Sequence, residues 1–488
     1  MSAGFGAIDV VVLIAYLAFV IALGASFARG QKSTRDYFLG GRGLPWWAIC
    51  FSVVATETSA LTFISLPATA YQSDFWFLQL ALGYIIGRLA VAALLLPRYF
   101  AGEMVTVYAF LETRFGGTTR RFASIIFMVT RALADSVRMF AAAIPIRLVT
   151  GIPYAEAILA AGVITVLYTW LGGLKAVVWI DVAQMFIYIV GGVAALVVLL
   201  HAVPGGWGGI VAAAEAGDKL RVFHTGAGLA GFADPRWLFT GLIGGAFLSM
   251  ASHGVDFLIV QRLLAARSLA DGRKAIIGSG LVVAAQFALF LFVGVGLFAY
   301  YGGRTFATPD EIFPRFILEA MPPGLTGLIV AGIVAAMMST VSSSLNSLAS
   351  AAANDLIGPL TGRTDDDAFM LRLGRRLTLG WAVVLVGGAV LFQYLQQGTP
   401  VVVVALQIAS FTYGGLLGGF LLGVLSREAR ESDAIVGMGT AIVVMGAIWG
   451  SQQFGLVDKF ADSLWFSLLG SAITVGAGLV SSRLRRSA

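Results

Sequence analysis

The sequence predicts an all-α membrane protein of about thirteen transmembrane helices arranged around a five-plus-five inverted repeat. Three observations point there. The chain of 488 residues is 58% hydrophobic and only 12% charged, with mean hydropathy +0.89. Its apolar stretches repeatedly exceed the ~20 residues that cross a bilayer. Two of them are interrupted by polar residues at comparable depth, and others carry hydroxyls and a carboxylate where hydrocarbon makes such groups costly.

Apolar windows place spans near 8–28, 45–71, 76–99, 121–148, 154–172, 175–200, 237–262, 275–301, 324–357, 377–396, 401–425, 434–451 and 463–482. With the N-terminus outside, the cytoplasmic loops hold 22 of the 32 Lys and Arg residues against 7 outside. The positive-inside rule therefore predicts N-out, C-in, and the +6 net charge reflects topology rather than nucleic-acid binding. The first span has no basic region before it and no small-residue cleavage site, so it is expected to remain as a helix. No soluble domain is expected at either end. The longest polar stretches are the outer loop 203–236 and the inner segment 97–121, in which Val105–Phe115 is a candidate interfacial helix.

The interrupted spans are Trp46–Tyr71, broken around Ala55-Thr56-Glu57-Thr58-Ser59-Ala60, and Trp237–Arg262, broken around Ser249 to Asp256. A continuous helix of that length would run about 39 Å, enough for two half-helices. Broken helices in corresponding places of two halves are the mark of inverted-repeat carriers. Five spans separate the breaks, so spans two to six should mirror seven to eleven. The expected organisation is an extra helix and inner loop (1–44), a first repeat (45–200), an outer loop (201–236), a second repeat (237–425), and two final helices with a basic tail (426–488).

The ninth span carries Met338-Ser339-Thr340-Val341-Ser342-Ser343. Ala336, Ser339, Thr340 and Ser343 follow i, i+3, i+4, i+7 and share one face, with Ser342 beside them. Such hydroxyls either let helices pack closely, each bonding its own i−4 carbonyl, or supply hard oxygen donors to an alkali cation. Asp181 lies about two turns into the sixth span, where a carboxylate costs roughly 3 kcal/mol unless compensated. An ion pair with an arginine and a cation ligand are equally open readings. In the fourth span Arg131 and Asp135 are i, i+4 and should neutralise each other. Arg138 either joins that pair or faces a central cavity, where its fork would suit a carboxylate. Glu57, in the first interruption, pairs with an arginine, touches solute or carries a proton. Arg88 and Asp256 read as structural pairs or gate residues, and His253 as a satisfied histidine.

Enzyme signatures are absent: there is no Walker loop, GxSxG elbow or HExxH motif. A single Cys50 and three scattered histidines exclude disulfide frameworks and zinc spacing.

Four stretches together resemble the solute:sodium symporter family, relatives of the sodium/glucose, sodium/proline and sodium/sialic acid cotransporters. They are Asp36-Tyr37-Phe38-Leu39-Gly40-Gly41-Arg42, the run Gly172-Gly173-Leu174-Lys175 through Trp179-Ile180-Asp181 to Gln184, Val260-Gln261-Arg262, and Ala335-Ala336-Met337-Met338-Ser339-Thr340. Ile180 departs from the family's frequent threonine, which removes a hydroxyl beside Asp181. The resemblance implies a leucine-transporter-like core with discontinuous first and sixth core helices, working by alternating access. It also implies a general Na+ site at Ala55, Thr58, Ala336, Ser339 and Thr340, and a second at Asp181, Ser339, Ser342 and Ser343. Residues around solute in sialic-acid-type members match Ser59, Thr62, Gln79 and Arg138.

The expected protein is thus a Na+-coupled symporter of a small organic solute, preferably a carboxylate, using one or two ions. A neutral sugar or a zwitterion such as proline, proton coupling through Glu57, and a sensor role are the alternatives; the last would want a signalling domain, and the sequence stops at Ala488 just past the last span. The expected setting is the inner membrane lipid bilayer, N-terminus periplasmic and C-terminus cytoplasmic, with a monomeric functional unit, no nucleic-acid partner and no catalytic residues.

Overall fold

A computed structural model describes residues 5–27, 33–102, 104–226, 228–306, 308–395, 401–453 and 455–487; the expected span ends at 28 and 396 lie outside them. Among the described residues there is no strand beyond two isolated bridges, Leu44 with Ala266 and His224 with Trp237. In chain order the helices are α1 (Ala7–Ser26), α2 (Thr34–Leu39), α3 (Trp46–Glu57), α4 (Ala60–Gln72), α5 (Phe77–Ala90), α6 (Leu96–Phe100) and α7 (Ala109–Arg114). The long α8 (Gly117–Thr150) and α9 (Tyr154–Ala202) follow, then α10 (Gly206–Ala216), α11 (Gly245–Gly254), α12 (Phe257–Leu264) and α13 (Leu269–Tyr300). The last are α14 (Ile312–Ala320), α15 (Leu325–Ala351), α16 (Gly358–Thr361), α17 (Asp367–Leu395), α18 (Val401–Leu425), α19 (Glu431–Gln453) and α20 (Phe466–Ser487). Eight described helices are long and apolar enough to cross a membrane singly.

Two further spans are bent pairs, and both expected interruptions are real breaks. α3 and α4 meet at 64°, and α11, with the turn preceding it, meets α12 at 60°. Local chemistry explains each one. At the first, Thr58 leaves the helix with φ −73° and ψ 110°, and the Thr62 hydroxyl accepts from the Ser59 N–H at 3.4 Å, starting α4 afresh. At the second, Asp256 caps α12 by accepting from the Leu258 N–H at 2.9 Å.

Spans five and six are joined without a loop inside α9. The join is a kink at Gly173, whose φ of 56° and ψ of −157° belong to glycine. A Cβ there would stand 2.6 Å from the Tyr37 carbonyl oxygen. The Gly172-Gly173 turn and the Asp36-Tyr37 segment are therefore one packing unit. A second close approach joins α5 to α11, where a Cβ on Gly87 would meet the Ala246 carbonyl at 2.3 Å.

α15 lies at the centre, 89% buried over its apolar window, against 22% for α1 and for α17. It packs on α9, α8, α1, α17 and α3, which is how its run of hydroxyls avoids lipid. The peripheral α1 is fastened to it by Asp9, whose Oδ1 accepts from the N–H groups of Gly324 and Gly327, both at 2.7 Å. That is a carboxylate on orphan donors at a helix start. The segment Val105–Phe115 differs from expectation: it is not an interfacial helix. Only Ala109–Arg114 is helical, and Val107, Tyr108 and Leu111 are fully buried. Phe110 stacks on Phe420 of α18 at 5.6 Å, so aromatic packing inside the protein wins over the interface.

Gly173→Ala is expected to cost about 1–3 kcal/mol from backbone strain alone, with the Tyr37 clash added. In detergent its thermal midpoint should fall clearly, while Gly380→Ala, mid-helix in α17 with open space at its Cβ, should leave the midpoint equal or slightly higher.

Candidate functional site

Asp181 stands on the second half of α9 and is completely buried. Its Oδ1 accepts from Ser339 Oγ of α15 at 2.7 Å, and its Oδ2 from Ser52 Oγ of α3 at 2.6 Å and from Arg262 Nη2 of α12 at 3.0 Å. Arg262 is equally buried; its Nε donates to Ser52 Oγ at 2.8 Å, its Nη1 to the Leu258 carbonyl at 2.7 Å, and its Nη2 also to Ser343 Oγ. Thr56 Oγ1 lies 3.2 Å from Ser343 Oγ. The structure thus brings Asp181, Ser339 and Ser343 together. It adds three residues that the sequence reading did not assign to the site: Ser52, Thr56 and Arg262. Ser52 and Thr56 could have been found from their i, i+4 spacing on one face of α3; nothing in the sequence says that Arg262 points at Asp181. Ser342 sits beside the group with its hydroxyl on the Ser339 carbonyl at 3.0 Å.

A second oxygen-rich place lies where α3 ends against α15. Ala55 and Ala336 are fully buried. The break strips the carbonyls of the last α3 turn of intrahelical partners, and these sit at the negative end of the helix dipole. The Thr58 hydroxyl pairs with the Gln286 amide, at 3.1 Å to Oε1 and 2.8 Å to Nε2. The Thr340 hydroxyl rests on the Ala336 carbonyl at 3.2 Å. The first place offers hydroxyls and one carboxylate and the second offers neutral oxygens, the donor types an alkali cation takes. Among the described residues no three His, Cys, Asp or Glu gather as a metal site.

Above these places opens a cavity of about 350 Å³, within the usual range for small-molecule sites. Glu57, Ser59, Thr62 and Arg138 line it. Gln79 is not among the lining residues: it is fully buried, with Nε2 donating to the Arg236 carbonyl at 2.8 Å and Oε1 accepting from the His224 N–H at 3.2 Å. It ties the outer loop to the start of α5.

The arginines divide sharply. Arg131 forks onto Asp135 at 3.0 and 2.7 Å and reaches Asp256 at 3.2 Å and the Tyr413 hydroxyl at 3.1 Å. Asp135 also accepts from Ser344 Oγ. Arg88 donates to Glu57 and, at 2.8 Å, to Ser279 Oγ. Arg138 has one ion-pair contact, 3.6 Å from Asp135, and its side chain stays 23% exposed. Its fork remains largely open to the cavity.

The model of the sodium:solute symporter family matches residues 37–440. The chain belongs to this family. It is 30% identical to the sodium/sialic acid symporter of Aliivibrio fischeri, across 98% of this chain and 93% of that protein. It is 29% identical to sodium-coupled monocarboxylate transporter 1 of Xenopus laevis, across 93% and 70%. It also superposes, with TM-score 0.86 and 27% identity over 98% of both chains, on a substrate-bound, outward-open Na+-coupled sialic acid symporter that revealed a novel Na+ site. As a member of the sodium:solute symporter family this is a multi-pass membrane protein that couples Na+ to the transport of a small solute.

Removing one member of a buried ion pair strands the other charge, at a typical cost of 3–5 kcal/mol. Asp181→Asn and Arg262→Met should therefore each destabilise the protein strongly. The double variant should recover much of that loss, as read from a double-mutant cycle of thermal unfolding.

Proposed function

We propose that this symporter imports a small organic carboxylate, of the sialic acid or monocarboxylate type, with one or two Na+ by alternating access. The observation that carries the reading is Arg138: of the arginines in and behind the cavity wall, it alone keeps an open guanidinium there. A bidentate fork is the natural receiver of a carboxylate. The relatives named for sialic acid and monocarboxylates agree with that chemistry. Glu57, Ser59 and Thr62 complete the solute site, and Gln79 shapes it through the outer loop.

The general Na+ site is assigned to Ala55, Thr58, Ala336, Ser339 and Thr340. The second is assigned to Asp181, Ser339, Ser342 and Ser343, with the ion approaching Oδ1 of Asp181 while Arg262 keeps Oδ2. At about 100 mV each entering Na+ gains about 2.3 kcal/mol from the potential and about 1.4 from a tenfold gradient. One ion with a monoanion nets about 1.4 kcal/mol, or about tenfold accumulation; two net about 5, or a few thousandfold. A second ion therefore matters most for an anionic solute.

The matching positions of the two bent spans support a leucine-transporter-like five-plus-five core at 45–200 and 237–425. Reading α9 as two spans and counting α8 and α18 beside the eight single and two bent spans gives the proposed thirteen. The loop charge supports an N-terminus outside and C-terminus inside, in the inner membrane, and the basic residues are assigned to topology rather than nucleic acid. A monomer is the proposed functional unit.

Uptake into proteoliposomes tests the reading. Arg138→Ala should raise the KM for carboxylates by roughly 10- to 100-fold, the worth of a charge-assisted hydrogen-bonding pair, with Arg138→Lys recovering part. Uptake of a neutral sugar that survives Arg138→Ala but fails in Asp135→Asn would favour a neutral solute instead. Ser339→Ala and Thr340→Ala should each shift the Na+ concentration for half-maximal uptake upward about tenfold. A dependence on a pH gradient in place of Na+ would overturn the coupling assignment.

A further inference from the structure

The cavity wall holds a second charge, which carboxylate capture by Arg138 leaves unused. Glu57 ends α3 at the break, and its side chain remains 14% exposed. Its Oε2 takes the Arg88 guanidinium, and Nε2 of His253 stands 3.4 Å from the same oxygen. Among the described residues no donor reaches Oε1. Arg88 is itself fully buried and pinned on Ser279, behind the carboxylate rather than in the cavity. Beside this group Ser252 also lines the cavity, its Oγ 2.8 Å from Nδ1 of His253.

A carboxylate oxygen with unused lone pairs is expensive to enclose without a donor. Water can serve an open cavity, but once the cavity closes around solute, the solute must supply the proton. We infer that Glu57 is a specificity-determining residue whose Oε1 accepts a hydrogen bond from a hydroxyl of the solute. The solute is then a hydroxylated carboxylate, held by Arg138 at one end and by Glu57 at the other. This rests on the carboxylate reading of Arg138. A neutral hydroxyl fits better than an ammonium, because Arg88 already neutralises Glu57 and a further cation would stand against its guanidinium. The cavity volume of about 350 Å³ equals about a dozen waters, more than a two- or three-carbon acid fills. The hydroxyl-bearing face of α4 that meets the cavity, Ser59 to Thr69, suits the same class.

The experiment pairs hydroxylated carboxylates with their deoxy counterparts: gluconate with hexanoate, glycerate with propionate. Sorbitol is the uncharged control. Binding is read from thermal shift of the full chain in Na+, and transport by competition for uptake. Gluconate should bind at least about tenfold tighter than hexanoate. Glu57→Gln should cut that ratio several-fold, because the solute hydroxyl then meets a neutral amide in place of a carboxylate acceptor, while hexanoate changes by less than about twofold. If that variant folds poorly, Glu57→Leu with Arg88→Met replaces the buried pair by apolar groups, and the wild-type ranking stands without any variant. Equal binding of both members of each pair overturns the role of Glu57 and leaves Arg138 as carboxylate anchor. Sorbitol binding as tightly as gluconate, in a Glu57-dependent way, upholds Glu57 and overturns the carboxylate anchor. Binding of no member of either pair overturns both.

Discussion

The contact between Arg262 and Asp181 holds the centre of this molecule together. Four helices meet there, α3 through Ser52, α9 through Asp181, α12 through Arg262 and α15 through Ser339 and Ser343. Two full charges in so dry a place are tolerable only because every strong donor finds an acceptor. Such a node is intolerant of changes in charge. It also couples the short, fully buried α12 to the hydroxyl-rich face of α15.

The cavity extends the same economy of charge. Arg131, Asp135, Asp256 and Tyr413 form one closed group, and Glu57, Arg88 and His253 another. With Arg138 beside Asp135 the first group sets two arginines against two aspartates, and the second sets one arginine against one glutamate, so the wall carries little net charge. What remains for recognition is the incompletely used edge of each group, the fork of Arg138 and the free oxygen of Glu57. Recognition by such edges can be strong without the site having to hold a naked charge when empty.

Much of this was legible in the sequence where a property belongs to one helix. The breaks at Thr58 and Asp256 are written in local capping residues, the hydroxyl face of α15 that meets Asp181 and Arg262 in the spacing of Ser339 and Ser343, and the Arg131–Asp135 pair in its i, i+4 register. What was not legible depends on which helix faces which. Asp181 could be seen to need a partner, yet only the packing of α12 against α3 names Arg262. Gln79 shows the same limit from the other side: its residue type suits solute binding, but the fold of the outer loop claims its amide. Val105–Phe115 misled because an amphipathic pattern does not say whether the apolar face meets lipid or Phe420.

The attachment of α1 has a consequence in time. Asp9 and the N–H groups it caps are 315 and 318 residues apart in sequence. At synthesis rates of about 5–20 residues per second, that separation is roughly 15 to 60 seconds. For that interval Oδ1 of Asp9 lacks these two donors, while Oδ2 is already served by the Gly6 N–H at 2.9 Å. The earliest of the described helices to be made can pack on α9 before then, where Gln184 donates to the Tyr16 hydroxyl at 2.9 Å, and receives the Asp9 fastening only once α15 is in place.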